Sequence, residues 1–223
     1  MGFLIASRFF ALLAVATNVL VIGVLVAWLS SGRSTWVTAL RSRLAVTPAR
    51  SLLALAWLVA TVATLGSLYY SEIVGLPPCE LCWYQRIAMY PLAVILGVAA
   101  WREDRDIAVY AVPIAAVGAA IATYHYALEW VPALDVGACA QDVPCSIAWF
   151  RAFGFVSLPY MALSGFLAVI ALTVLARRRA SPVPDDPAGD VAPIDDAAHD
   201  DVAHDDVPQD EIPEDDVPQE VRA

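Results

Sequence analysis

Hydrophobic residues run through this chain in long unbroken blocks, and polar residues collect in the short stretches between them. The blocks are Phe9 to Leu29, Leu52 to Tyr70, Trp83 to Trp101, Ile107 to Leu128 and Phe153 to Ala176. Each is close to the ~20 residues that a helix rising about 1.5 Å per residue needs to cross a hydrocarbon core of roughly 30 Å. The pattern predicts five transmembrane helices, with breaks too short for a substantial aqueous domain. The first block exceeds the h-region of a signal peptide, and Trp28-Leu-Ser-Ser-Gly-Arg33 is a poor cleavage site, so it reads as a retained helix. Ala and Gly abound in the third to fifth blocks, which suits close helix contact in lipid.

Composition agrees, since 60% hydrophobic and 16% charged residues fit poorly with a soluble domain of 223 residues. Charge then orients the bundle. All 13 basic residues are Arg, and nine lie on alternate connections: Arg33, Arg41, Arg43 and Arg50; Arg102 and Arg105; Arg177, Arg178 and Arg179. The positive-inside rule places these in the cytoplasm. The other connections then face outward, where disulfides persist. With five spans the N-terminus is expected outside, although Arg8 opposes this weakly.

The net charge of -10 belongs to one segment. Residues 181–223 hold 15 acids against one Arg, whereas residues 1–180 hold 8 acids against 12 Arg, so the tail carries -14 and the body +4. The tail also holds seven prolines, no aromatic residue and a degenerate repeat at His199, His204 and Glu214, and it is expected to be disordered. Weak metal binding by His199 and His204 is the less favoured reading of a solvated charge run.

The candidate chemistry is carried by four cysteines in two pairs, Cys79-Glu-Leu-Cys82 and Cys139 with Cys145, both on the outer side. Pro77 and Pro78 suit the entrance of a helix, which puts Cys79 and Cys82 in its first turn. Residues three apart on a helix lie about 5 to 6 Å apart, within disulfide range, and the free N–H groups of that turn stabilise a thiolate. Arg86 lies one turn deeper on the same face, where it can steady a thiolate at Cys82 or an oxygen on a ligand; a snorkelling anchor is the alternative. An inert structural disulfide is the alternative for the cysteines. The wide Cys139–Cys145 gap departs from zinc patterns, and Trp83 stands where haem attachment needs His, so no metal is expected.

Cys-Glu-Leu-Cys-Trp-Tyr-Gln-Arg, a second cysteine pair in the next outer loop and a last helix introduced by Phe-Val-Ser-Leu-Pro-Tyr together resemble the DsbB family, in particular its BdbC-like branch. The likeness covers roughly residues 50 to 176. It implies an all-α integral membrane protein with a DsbB-like four-helix bundle at 51–179. Residues 1–30 would add an extra N-terminal transmembrane helix, 31–50 a cytoplasmic Arg-rich loop, and 180–223 a disordered acidic cytoplasmic tail. The helix and tail are left unassigned by the resemblance.

The resemblance further implies a thiol:quinone oxidoreductase in a bacterial plasma membrane, which reoxidises a DsbA-like thioredoxin-fold partner and passes two electrons to ubiquinone or menaquinone. Cys79 and Cys82 match the quinone-proximal pair, with Cys82 the thiolate facing the ring and Arg86 its basic support. Cys139 and Cys145 match the loop pair, with Cys139 meeting the partner and Cys145 exchanging with Cys79. His125 matches a position close to the quinone; an interfacial imidazole in an aromatic belt with Tyr124, Tyr126 and Trp130 is the other reading. Glu129, Asp135 and Asp142 read as an acidic outer loop, and Arg151 as a loop anchor or a partner of Asp142. Pro113 and Pro159 are expected to interrupt their helices and leave room for a cofactor. No nucleic-acid partner is expected. A vitamin K epoxide reductase-like protein and a non-catalytic membrane scaffold with two structural disulfides are the competing readings.

Overall fold

The computed structural model describes residues 2–29, 39, 42, 46–135, 137, 139 and 143–179. Among these the chain forms five helices long and apolar enough to cross a membrane. They are α1 (Gly2–Leu29), α2 (Ala49–Leu68), α3 (Glu80–Arg102), α4 (Ala108–Trp130) and α5 (Leu158–Arg177). A π-helical turn, Tyr69–Ile73, extends α2. The acidic tail, Asp142 and most of the Arg-rich loop lie outside the described residues.

Two helix starts differ from the hydrophobic pattern for identifiable reasons. Helix α1 begins well before Phe9, because Ser7, polar in the pattern, is buried with its hydroxyl 3.3 Å from that of Tyr70. Helix α5 begins at Leu158 rather than Phe153. Phe153 and Gly154 take left-handed backbone angles (φ 54° and 83°), and Ala152 and Val156 exchange backbone hydrogen bonds of 2.8 and 2.9 Å across the turn they make. Pro159 therefore does not interrupt a helix, as its place in the apolar block predicted, but stands in the first turn of α5, where a missing N–H is harmless. Pro113 does lie inside α4, as does Pro91 inside α3.

Helices α2 to α5 form the bundle, each packed on the next and α5 closing onto α2. Its core combines Ala56 and Ala60 of α2, Leu92 and Leu96 of α3, Ala111 and Ala115 of α4, and Phe166 and Val169 of α5. Small residues let the backbones approach; a Cβ at Gly118 would overlap the Phe166 ring. Outward-facing side chains such as Val94, Val98 and Val117 are exposed, as a lipid-facing surface requires. Helix α1 packs against α5, and the Asn18 amide donates to the Tyr160 hydroxyl and to Ser164 Oγ, both at 2.9 Å.

The two ends of the bundle differ in chemistry. At one end Arg50 approaches Glu103 at 3.5 Å, Arg177 approaches Asp106 at 3.9 Å, and Arg105 donates to the Arg179 carbonyl at 2.8 Å. The cysteines lie at the other. The start of α1 joins them there, with the Phe3 ring 6.2 Å from Tyr70 and 5.6 Å from Phe150.

Candidate redox site

Residues 75–79 form no regular element, Gly75 taking a left-handed φ of 78°, and Cys79 caps α3 with extended backbone at φ -73° and ψ 172°. The expectation that both cysteines occupy the first turn is thereby corrected by one position: Cys79 precedes that turn and Cys82 lies in it. Extended geometry turns Cys79 Sγ back over the helix entrance, where it accepts the Cys82 N–H at 3.4 Å and comes within 2.8 Å of Cys82 Sγ. Both are free thiols, Cys79 buried and Cys82 half-buried. The contact with Cys82, followed by that with His125, holds the Cys79 thiol far below its ordinary value. A single proton then serves two sulfurs in contact.

His125 reaches this pair from α4. Its Nε2 is 3.7 Å from Cys79 Sγ and its Nδ1 is 3.0 Å from the Gln85 side-chain amide. With Gln85 donating to Nδ1, the ring proton stands on Nε2 and points at sulfur. The imidazole is only 3% exposed, so it is turned into the bundle and is not a member of an exposed interfacial belt. The neighbouring aromatics brace the connection between α4 and α5 instead: Tyr124 donates to the Leu134 carbonyl at 3.1 Å and Tyr126 to that of Phe155 at 3.0 Å. Arg151 lies 4.2 Å above the Trp130 ring and donates to the Glu129 carbonyl at 2.7 Å.

Arg86 is buried and turned inward, which excludes a snorkelling anchor. Its Nε donates to Ser67 Oγ at 3.0 Å and its Nη2 to the Ser67 carbonyl at 3.1 Å, with Cζ 5.1 Å above the Trp83 ring. The guanidinium thus bonds to the C-terminal end of α2 rather than to Cys82, and its charge faces the space beside that sulfur.

That space is a cavity of about 290 Å³. Cys82, Gln85, Arg86 and His125 line one part of it, while the remaining wall is largely apolar and includes Pro159. Cys79 does not line it. A second pocket of about 10 Å³, room for roughly one water, lies between Cys79, Cys82, His125 and Glu129. Glu129, expected as a solvated loop acid, is buried there at the end of α4, with Oε2 lacking a hydrogen-bond partner.

Cys139 and Cys145 are joined to each other. They offer no thiolates to a four-cysteine zinc site, although Cys79, Cys82 and His125 bring donor atoms within 4.8 Å of one another. Cys145 is 2% exposed and shares a buried cluster with Cys79, Leu81 and Leu128; Cys139 is only partly buried at its edge. All six residues singled out from the sequence therefore gather at one end of the bundle. Gln85, Ser67 and Glu129 escaped that reading. Gln85, a polar residue one position before Arg86 inside an apolar block, was legible as a signal; Ser67 and Glu129 were not, because only the bundle turns them inward.

Residues 49–176 match the family model for the disulfide bond formation protein DsbB. The curated relatives include a probable disulfide formation protein C of Bacillus cereus, 50% identical over 115 residues, which are 51% of this chain and 83% of that protein. Disulfide bond formation protein C of Bacillus subtilis is 44% identical over 126 residues, 56% of this chain and 91% of that protein. A probable disulfide formation protein of Chlamydia trachomatis is 44% identical over 124 residues, 56% and 90% of the two chains. No solved structure gives a significant match. Helix α1 lies wholly outside the matched region.

Proposed function

Because the chain belongs to the DsbB family of disulfide bond formation proteins, we propose that it is a membrane thiol:quinone oxidoreductase that reoxidises a DsbA-like extracytoplasmic thiol oxidase. One observation carries the reading. The two sulfurs of one pair have different surroundings: Cys82 lines the large cavity, whereas Cys79 does not and belongs to the buried cluster that holds the loop cysteine Cys145. A pair placed in this way is suited to take electrons on one side and release them on the other.

The path balances as two thiol–disulfide exchanges and one two-electron oxidation. A reduced partner attacks the Cys139–Cys145 disulfide at Cys139, the more accessible sulfur, and leaves oxidised. The resulting Cys145 thiolate attacks the Cys79–Cys82 disulfide at Cys79, forming a Cys145–Cys79 bond and releasing Cys82; Cys139 then attacks Cys145, which restores the loop disulfide and leaves Cys79 and Cys82 reduced. That pair, holding one proton between its two sulfurs, then releases two electrons and that proton toward the cavity and closes again, the other proton having left when Cys79 ionised. A quinone bound there supplies the acceptor, which no side chain can be.

The cavity fits such a group by volume and by lining. About 290 Å³ of mostly apolar space meets a few convergent polar groups, as in small-molecule sites. Arg86 and His125 would hold the ring oxygens, and Cys82 is the sulfur that reaches them. The anion rests on Cys79, held by Cys82 and His125, so exposing a thiolate on Cys82 takes only a proton shift across the 2.8 Å contact. His125, with its N–H on the sulfur side, is placed to hold the negative charge on Cys79 while the Cys82 proton is released. The Arg-rich end would lie in the cytoplasm and the cysteine end outside.

The test is turnover of purified protein with a reduced DsbA-like protein and a soluble quinone, followed by quinone absorbance. Quinone consumption that disappears in Cys82→Ser is expected. A wild type that consumes none refutes the reading, and would leave a scaffold with a structural disulfide.

A further inference from the structure

Helix α1 has no counterpart in the family match, yet it is part of the cavity wall. Phe10, Leu13, Ala14 and Thr17 of α1 line the same space as Cys82 and Arg86. They recur at three- and four-residue spacing, so they form one face of the helix and extend about 10 Å along it at about 1.5 Å per residue. Opposite them stand Leu58, Val62 and Gly66 of α2. The polar groups cluster where α2 ends and α3 begins, whereas the α1 face adds only one hydroxyl, that of Thr17.

Two contacts show that α1 is fitted to this place. Gly66 admits the Phe10 ring, since a Cβ there would stand 3.2 Å from it. At the other end of the face, Asn18 bonds to Tyr160 and Ser164 of α5 at 2.9 Å each. Ser164 also lines the cavity. Amide-to-hydroxyl bonds of this kind hold helices together in lipid, where water does not compete. Removing α1 would open this side of the cavity to the bilayer.

We propose that α1 forms the wall of the quinone site along which the quinone's hydrocarbon tail lies, so that Phe10, Leu13, Ala14 and Thr17 determine which tails are accepted. This rests on the quinone reading above. The redox end, built by α3 and α4, recognises the ring; the α1 face, apolar apart from Thr17, has little to offer a ring oxygen but a long surface for methylene groups. A tail that comes from lipid gains nothing by leaving water, so this wall selects tails by close packing along its length.

The test compares a decyl-tailed with a tail-less benzoquinone, binding measured by calorimetry to the full chain in lipid nanodiscs. Ala14→Phe fills the wall; Leu20→Phe, on an exposed part of α1, is the control. In Ala14→Phe the decyl quinone should lose at least tenfold in affinity and the tail-less one less than twofold, with Leu20→Phe unchanged. Asn18→Leu should reduce the preference for the decyl quinone in the same direction. Equal losses for both quinones, or none for either, in Ala14→Phe overturn the proposal. A wild type that binds neither quinone overturns the parent reading, whereas wild-type binding without tail discrimination by α1 overturns this inference alone.

Discussion

Cys79 and His125 are 46 residues apart in the chain, yet Sγ and Nε2 stand 3.7 Å apart inside the protein. An imidazole N–H directed at sulfur stabilises an anion there.

The pH dependence of Cys79 follows from this contact. In the reduced protein its pKa is lowered to about 4, first by the Cys82 contact and then by His125. A depressed acid contributes stability above its unfolded value and loses it as pH falls through the folded value, so the reduced protein should lose stability from about pH 8.5 down toward pH 4. Alkylation of Cys79, read by mass spectrometry, should stay fast at pH 6. In His125→Leu the rate at pH 6 should fall several-fold; identical profiles for both proteins would remove the imidazole from this role.

Gln85→Leu tests the positioning of that imidazole. Loss of the 3.0 Å contact leaves Nδ1 without its partner, a cost of about 1–3 kcal/mol for a buried group. Quinone reduction should fall by about tenfold or more, while exchange between the loop disulfide and a reduced partner protein is preserved. A shifted pH profile in Gln85→Leu that Gln85→Glu does not restore, because a carboxylate accepts from Nδ1 and reverses the tautomer, separates positioning from loss of fold.

Arg86→Ala removes two hydrogen bonds to Ser67 and the charge beside Cys82. The KM for quinone should rise at least tenfold, with the KM for the partner protein little changed. If both rise together, the residue serves the fold alone.

The loop cysteines should trap different species. Cys145→Ser leaves the more accessible Cys139 to hold a mixed disulfide with the partner, visible on a non-reducing gel. Cys139→Ser should instead accumulate an internal bond between Cys145 and Cys79, found by peptide mapping. Reversed products would reverse the order of exchange.

Gly118→Ala places a methyl group against the Phe166 ring. Overpacking of this kind costs about 1–3 kcal/mol, so thermal unfolding should begin at lower temperature. Combination with Phe166→Leu should recover part of the loss.

The sequence by itself determined the membrane setting, the number of spans, their order, the pairing of Arg-rich connections against cysteine-bearing ones, and the C-x-x-C with Arg86. These are local properties: a bilayer requires about 20 apolar residues whatever surrounds them, and charge accumulates where helices leave lipid. The tertiary structure decided what each side chain faces. Cys79 shares a buried cluster with Cys145 and Cys82 lines the cavity, a division that arises only where the cap of α3 packs against the other segments. Ser67, Gln85 and Glu129 became site residues, and Phe10 and Ala14 became cavity wall, only when separate helices packed together. Hydropathy averages over all faces of a helix, so it reports that a segment enters the bilayer and not which residue turns toward its neighbours.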